Sequence, residues 1–190
     1  MNSKRRFSTF AMALLVVFLL VMIALGFLLG PTHPLPWILI AVLVAIPYLH
    51  NRVVSRRFVT WKDDYSVGIE RLDADHKRLM NLINRLQTAA DYDTGSGFVD
   101  EALDELVDYT KNHFAREEEL MEKYEYPDFE EHKRQHRKMV EKVEGMLDRY
   151  KEDPDTTVDE LVQFLKNWLI NHIAGTDQQY SGFLRDKGVS

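Results

Sequence analysis

The chain contains 190 residues, of which 45% are hydrophobic and 28% are charged, and its formal net charge is −6. It has no cysteine, which excludes disulfide frameworks, cysteine-ligated zinc, iron–sulfur clusters and thiol nucleophiles. The acidic balance argues against a nucleic-acid partner, because a protein that neutralises phosphates needs a basic face. The charges are unevenly placed, since none lies in the 45 residues between Arg6 and Arg52. The averages therefore combine an uncharged region with a strongly charged one.

The uncharged region begins with a long apolar stretch. Residues 7–30 form 24 consecutive uncharged positions, whereas a helix needs about 20 residues to cross a bilayer. A secretory signal peptide is the alternative, because basic residues precede the stretch, but the apolar part of such peptides is about 7–15 residues long. The greater length, and the second apolar stretch that follows, favour a transmembrane helix over residues 7–30.

The second apolar stretch, residues 32–50, is also long enough to span a membrane, although Pro47 lies inside it. Trp37 and Tyr48 are placed like the aromatic residues found at membrane interfaces. The segment GPTHP at residues 30–34 has room for nothing more than a tight turn between the two stretches. We therefore predict a transmembrane helical hairpin that contacts the lipid bilayer through residues 7–50 and makes residues 1–57 a membrane anchor.

Basic residues flank the hairpin on both sides and are absent from its turn. They are Lys4, Arg5 and Arg6 before the first span, and Arg52, Arg56, Arg57 and Lys62 after the second. The positive-inside rule then places both termini, and everything after the hairpin, in the cytoplasm of a multi-pass protein of the cell (inner) membrane. The spans carry no charge that would serve a channel or transporter, so we interpret the hairpin as an anchor. His33 and His50, at the ends of the second span, are assigned no chemistry.

Residues 58–190 have the apolar spacing of helices. The first predicted helix starts near residues 72–73 and ends before a turn-forming segment at 91–97, and the second extends from about residue 98 to 124. Their inward-facing residues recur every three or four positions and are Leu79, Leu82, Ile83 and Leu86 in the first helix and Leu103, Leu106, Val107 and Phe114 in the second. Thr110 is the polar member of the second stripe.

Two further helices are predicted after residue 124. Pro127 suits the first turn of the third helix. Residues 153–154 then interrupt the chain, and Thr157 and Glu160 have the T-x-x-E spacing of a capping box that opens a fourth helix. We expect that helix to end at Gly175. Four helices with short connections predict an all-α protein with an up-down-up-down four-helix bundle over residues 58–190.

The bundle region contains five histidines, one on each of the first, second and fourth predicted helices and two on the third. They are His76, His113, His172 and the pair His132 and His136. Because residues four positions apart share a helix face, His132 and His136 lie one turn apart, as do His113 and Glu117. A bundle interior that receives imidazoles and carboxylates from all four helices is suited to binding a metal.

The fourth helix adds a candidate carboxylate ligand. Asp177 follows His172 by five positions, which is about 140° around an ideal helix, so it joins the cluster only if the helix loosens near Gly175. A lone histidine on a helix is more often an ordinary polar residue than a ligand, and Glu117 belongs to the run REEEL, most of which we expect to be solvated. All five histidines of the bundle region fall where the inward faces of the four helices could converge, which favours a shared metal site.

Four stretches carry a more specific pattern. They are WKDDYSVGIERLDADHKRL from residue 61, HFAREEELM from 113, HKRQH from 132 and WLINHIAGTD from 168. With these stretches, residues 61–180 resemble a hemerythrin of the bacteriohemerythrin type. All seven ligand positions of that family hold the expected residue type: His76, His113, Glu117, His132, His136, His172 and Asp177. The hairpin lies outside the resemblance.

The resemblance implies two iron ions (Fe2+/Fe3+) bridged by Glu117, Asp177 and an oxo or hydroxo group, with the five histidines completing the coordination and one position open. The implied function is reversible dioxygen binding, for storage or delivery at the cytoplasmic face, with a membrane-bound oxygen-consuming enzyme as a candidate partner. An oxygen sensor that signals to a partner, and a di-iron enzyme that reduces peroxide or nitric oxide, are the alternatives. Structural zinc fits poorly, because seven ligands exceed one tetrahedral site.

The donor set favours a carrier over an enzyme. Two carboxylates leave a pair of ferrous ions cationic, whereas oxygen-activating bundles use four carboxylates, which better stabilise high-valent iron. A site that binds oxygen reversibly also needs a dry, apolar wall. Leu79, Phe114, Leu169 and Ile173 are the predicted oxygen pocket, because each lies within three positions of a ligand, although ordinary core packing explains the same residues equally well.

Overall fold

The computed structural model describes residues 3–55, 57–92 and 96–190. These residues form helices joined by turns, and no strand occurs among them. Arg56 and residues 93–95 of the predicted turn lie outside the described residues, as do the side chains of Lys4, Arg5, Arg6, His50 and Arg52. The chain divides into two compact units, Met1–Phe58 and Val59–Ser190.

The first unit is a pair of helices, α1 (Ser3–Phe27) and α2 (Pro34–Ser55), that pack against each other. Within α1, Phe10–Phe27 is long and apolar enough to cross a membrane, with a mean hydropathy of 3.0, and α2 contains a shorter apolar segment, Pro34–Leu49. The turn between the helices includes Gly30 at a φ of +111°, a conformation that glycine adopts without strain.

The two helices differ in their limits from the predicted spans 7–30 and 32–50. The turn is longer than predicted, because tight backbone hydrogen bonds continue to His33, whose N–H donates to the carbonyl of Gly30. The Trp37 indole donates a hydrogen bond to the Pro31 carbonyl over 3.0 Å, which ties the start of α2 to the turn. α2 continues through Pro47 without a break.

In its described residues, the second unit contains a short 3-10 turn (Asp63–Tyr65), four long α-helices and a short final one. The α-helices are α3 (Glu70–Tyr92), α4 (Ser96–Lys123), α5 (Phe129–Glu152), α6 (Pro154–Asn171) and α7 (Gln178–Asp186). α3 packs against α4, α4 against α5, α5 against α6, and α6 against α3, which is the neighbour order of an up-down-up-down bundle. A π-helical turn, His172–Asp177, joins α6 to α7.

The start of α6 corrects one prediction. The helix begins at Pro154, and Asp153 is its N-cap, whose carboxylate accepts hydrogen bonds from the backbone N–H and the hydroxyl of Thr156. The predicted capping box of Thr157 and Glu160 is wrong, because an Asp N-cap followed by Pro at the first helical position already starts the helix one turn earlier.

Two other helix starts differ from the predictions. α3 begins two residues early, and Asp73 in its first turn accepts hydrogen bonds from the Val67 N–H (2.8 Å) and the Ser66 hydroxyl (2.5 Å), which anchors the preceding loop. α5 begins at Phe129, so Pro127 lies before the helix rather than in its first turn.

Buried side chains form two clusters separated by a polar layer. The larger cluster contains all the predicted inward-facing residues of α3 and α4 except Val107, which is half-buried. The smaller cluster is built around Leu72, Met121 and Tyr180. Along each helix the predicted ligands lie at or next to the boundary between the two clusters, so the fold places the polar side chains in one layer. Thr110 is also buried, and its hydroxyl donates to the Leu106 carbonyl over 2.7 Å.

Candidate metal centre

The π-helical turn places His172 and Asp177 on the same face of the chain. Backbone hydrogen bonds in such a turn span five residues instead of four, so side chains five positions apart approach each other. His172 Nε2 lies 3.1 Å from Asp177 Oδ1. The expectation that the helix loosens near Gly175 is confirmed. The expectation that it ends there is wrong, because the chain remains helical through α7.

All seven predicted ligands meet in one buried cluster. Their exposed fractions are 0% for His76, Glu117 and Asp177, 1% for His113 and His136, 3% for His132 and 4% for His172. Ligand atoms lie within 4.8 Å of one another in two subsets, which are His76, His113 and Glu117, and Glu117, His132, His136 and His172. Glu117 belongs to both subsets.

Glu117 divides its two carboxyl oxygens between two groups of histidines. Oε1 lies 3.5 Å from Nε2 of His76 and 3.5 Å from Nε2 of His113. Oε2 lies 3.6 Å from Nε2 of His132 and 3.4 Å from Nε2 of His136. One carboxylate therefore faces both groups.

Asp177 also turns one carboxyl oxygen towards each group of histidines. Oδ2 lies 3.3 Å from His76 Nε2, whereas Oδ1 lies 3.7 Å from His132 Nε2 and 3.1 Å from His172 Nε2. The cluster thus has a two-histidine side, made of His76 and His113, and a three-histidine side, made of His132, His136 and His172. Both carboxylates present one oxygen to each side.

Several polar atoms of the cluster have no hydrogen-bond partner in the described part of the chain. They are both ring nitrogens of His76, Nδ1 of His113, Oε2 of Glu117 and both carboxyl oxygens of Asp177. Each unsatisfied buried group costs about 1–3 kcal/mol. Two ligand atoms that bind one ion at right angles, with bonds of about 2.1 Å, lie about 3 Å apart. The distances between the histidine nitrogens and the carboxyl oxygens of this cluster are close to that value. The residues therefore fit metal ions, and imidazole with carboxylate is a donor set that suits iron.

In the metal-free cluster, burial and neighbouring charges shift the pKa values of several predicted ligands. Burial lowers the pKa of His76, but its contacts with Asp177 and Glu117 outweigh burial and raise the pKa to about 9. Burial raises the pKa of Glu117, but the histidines around it, His113 above all, hold the pKa well below its usual value. Burial lowers the pKa of His172 to about 4, despite the neighbouring Asp177. The Glu117 carboxylate is therefore ionised and ready to bind cations.

Two acidic residues that were not predicted as site residues lie behind the histidines. Glu118 Oε1 lies 3.0 Å from His136 Nδ1, so this member of the REEEL run is not simply solvated as expected. Asp75 Oδ2 lies 3.6 Å from His113 Nδ1, and Asp75 also accepts hydrogen bonds from Tyr109 (2.7 Å) and Arg116 (2.7 Å). Carboxylates behind ligating histidines orient the rings and raise their basicity.

Aromatic rings support the histidines from the other direction. Phe114 stacks on His136 with ring centroids 3.7 Å apart and an interplanar angle of 6°. Trp168 stacks on His172 at 4.2 Å and 18°. The Tyr180 hydroxyl donates a 2.5 Å hydrogen bond to Glu117 Oε1. The prediction missed Tyr180 because it ended the helix at Gly175; the detectable signal was an aromatic residue three positions after Asp177.

Three of the four residues of the predicted oxygen pocket line one small cavity. Leu79, Phe114 and Leu169 border a space of about 10 Å³, together with Thr110, Met139 and Trp168, among others. That volume is about one water-sized sphere. Ile173 is completely buried in the larger cluster but is not among the residues that line this cavity.

The fold and the cluster together define a class, namely an all-helical protein whose bundle holds a buried His/carboxylate metal site. Comparison with known proteins gives the family. A family model described as "Hemerythrin HHE cation binding domain" matches residues 67–184. The chain belongs to the hemerythrin family. Its predicted membership is confirmed, and the first unit lies outside the matched residues.

The matched region covers most of the length of individual relatives. A bacteriohemerythrin of Stenotrophomonas maltophilia is 41% identical over 123 residues, which are 65% of this chain and 79% of the relative. A myohemerythrin of Theromyzon tessulatum is 35% identical over 124 residues, 65% of this chain and 92% of the relative. The crystal structure of a wild-type hemerythrin superposes with a TM-score of 0.59 at 32% identity, covering 66% of this chain and 97% of that one. The hemerythrin family binds a di-iron centre, and the cluster described above could hold such metal ions.

Proposed function

We propose that this chain binds dioxygen reversibly at a non-haem di-iron centre held by the two-histidine side, the three-histidine side and the two shared carboxylates. The observation that carries the proposal is the division of Glu117 and Asp177, each of which turns one oxygen towards each side. A site for one ion would not need both carboxylates to face two groups of imidazoles. Membership of the hemerythrin family supports iron as the metal and dioxygen as the ligand.

The number of histidines on each side determines which iron would have an open coordination position. Iron supplies electrons that pass reversibly to dioxygen when both are bound. The two-histidine side offers one imidazole fewer than the three-histidine side, so an ion held by His76 and His113 would keep one position free for dioxygen. Five neutral imidazoles and two carboxylates leave the pair of ions cationic, which favours reversible binding over oxidative catalysis.

The apolar cavity excludes water from that position. Leu79 lies one helical turn after His76, on the two-histidine side. The Phe114 ring lies between the two sides, since its centroid is 5.9 Å from that of His113 and it stacks on His136. Leu169 belongs to the same wall, and Ile173 fills the adjacent core. Water and its protons would allow the oxygen to leave the site as a reduced product. Their exclusion slows this loss.

Oxygen uptake distinguishes a carrier from an enzyme. The reduced, iron-loaded full chain should take up one dioxygen per two irons in an oxygen electrode and return it when the gas phase is exchanged for argon. Oxygen consumption that continues in proportion to an added electron donor, well beyond this stoichiometry, would show an enzyme instead. Iron-free protein is the control for dissolved oxygen.

We also propose that the first unit anchors the protein in the cell membrane, with the bundle in the cytoplasm, where it stores oxygen for or delivers it to a membrane-bound oxygen-consuming enzyme. The apolar helix α1, the apolar segment of α2 and their exposed side chains support this proposal. Removal of residues 1–57 should leave oxygen binding intact and reduce respiration at low oxygen. Unchanged respiration would remove the support for delivery.

A further inference from the structure

A second, larger cavity lies between α4, α5 and α6. Its volume is about 170 Å³, and nine of its twelve lining residues are aliphatic or methionine. None of the seven predicted ligands is among the described residues that line it. The cavity opens to solvent beside the exposed Lys111 and Glu144, and its inner part is an unusually large unfilled apolar space for a small bundle, since protein interiors are packed nearly as densely as organic crystals.

The chemistry of the wall determines what the cavity can hold. The buried part is lined by residues such as Leu103, Val143 and Leu161, and the Thr110 hydroxyl already donates to the Leu106 carbonyl. The charged lining residues are Lys111 and Glu144, whose side chains are exposed and carry opposite charge. The interior therefore offers no ionic partner, and a charged or strongly polar guest would lose its hydration without compensation.

The volume determines the size of the guest. An apolar cavity of about 150 Å³ in another protein stays dry when empty and binds benzene or xenon. We propose that the cavity between α4, α5 and α6 is a binding site for a small, uncharged, apolar molecule about as large as benzene. Binding removes apolar surface from water on both guest and wall, and the preformed cavity keeps the cost of ordering low.

The site adjoins the predicted oxygen pocket. Leu106, Thr110, Met139 and Leu165 line both this cavity and the smaller one beside the metal ligands. A guest would restrict the rotamers of these shared side chains. The binding itself depends on the apolar wall and not on the metal, so it does not rest on the proposed function.

The methionines of the full chain provide the test. The protein, reconstituted in lipid nanodiscs with ¹³C-labelled methionine methyl groups, is titrated with benzene and followed by NMR. The Met139 methyl should shift and saturate, because it lines the cavity, whereas Met121, which is fully buried in the smaller cluster, should not move. Met12 on α1 is exposed and reports benzene dissolved in the lipid.

Variants that fill the cavity complete the test. Val143→Phe should abolish the Met139 shift, whereas Val189→Phe, the same change at a half-buried position near the C-terminus, should preserve it. If Val143→Phe fails to fold, Val140→Phe fills the cavity from a half-buried lining position. A Met139 methyl that does not respond, or that responds equally in a folded cavity-filling variant, would overturn the proposal.

Discussion

Tyr180 donates a hydrogen bond from its hydroxyl to Oε1 of Glu117 over 2.5 Å, and its side chain has no exposed surface. Burial, together with the negative charges of Glu117 and Asp177, raises the pKa of Tyr180 well above 10, so the phenol remains a donor at physiological pH. The oxygen that it holds is the one that faces the two-histidine side. Tyr180 therefore fixes the orientation of the carboxylate that the two sides share.

Removal of this hydroxyl should loosen the site without disturbing the core. Tyr180→Phe keeps the ring, which packs edge-on against Tyr126, and removes a hydrogen bond to a charged group worth about 1.5–3 kcal/mol. Loss of a partner behind a metal ligand typically weakens metal binding by about 10–100-fold. We expect a chelator to remove iron from the variant correspondingly faster.

Tyr126→Phe is the matched control. Tyr126 is also buried, but Asp128 is the charged group that influences its hydroxyl, and no ligand of the cluster is bonded to it among the described contacts. This variant should release iron at the wild-type rate. Equal rates of iron release from the two variants would show that Tyr180 does not position Glu117.

Iron loading should release protons near neutral pH. The pKa of His76 is raised from 6.5 to about 9 in the metal-free protein, so its ring is protonated at neutral pH and must lose that proton to bind iron. The raised pKa stabilises the metal-free fold fully below pH 6.5, and this contribution is lost as the pH rises through 9.

Two measurements follow from the raised pKa of His76. Addition of ferrous ion in weak buffer near neutral pH should release at least one proton per chain, and fewer above pH 9. The melting temperature of the metal-free protein should fall between pH 6.5 and 9 more than that of the iron-loaded protein. Iron uptake without proton release near neutral pH would contradict the protonated state of His76.

The apolar wall should protect the oxygenated site from oxidation. Leu169→Ala enlarges the small cavity beside the ligands and admits water, so irreversible oxidation of the oxygenated protein should become several-fold faster. Leu86→Ala is the control, because Leu86 is fully buried in the same core cluster but does not line the cavity. Both changes cost about 2–5 kcal/mol of folding free energy. Equal rates of spectral decay in the two variants would assign Leu169 to packing alone.

The absence of cysteine makes the membrane topology directly testable. Thr32→Cys places a thiol in the exposed turn between α1 and α2, and Ser190→Cys places one at the exposed C-terminus. In spheroplasts, a membrane-impermeant maleimide should label the Thr32→Cys protein and should label the Ser190→Cys protein only after lysis. Labelling of both proteins before lysis would exclude a cytoplasmic bundle.

Residues that share a helix were predictable because their relation is local. The pairs His132 with His136 and His113 with Glu117 follow from the pitch of one helix, and even the loosened turn before Asp177 follows from a spacing of five. Helix boundaries were less predictable, since the N-cap Asp153 competes with an equally plausible capping box that starts four residues later, at Thr157.

The supporting residues were not predictable from spacing. Asp75 on α3 contacts His113 on α4, and Glu118 on α4 contacts His136 on α5. Both contacts depend on how each helix is oriented about its axis relative to its neighbour. A charged residue beside a ligand looks in sequence like any solvated charge. The contact between Tyr180 and Glu117 joins positions 63 residues apart and depends on the helix continuing past Gly175.

The visible absorption spectrum of the reduced, iron-loaded full chain, recorded through repeated cycles of oxygen and argon, tests the central proposal most directly. We expect two irons per chain and an absorption band that appears with oxygen, disappears under argon and returns with equal amplitude. His132→Ala should lose most of the iron and the band, whereas His33→Ala, outside the bundle, should keep both. A chain that holds two irons and shows no oxygen-dependent band would contradict reversible oxygen binding at this site.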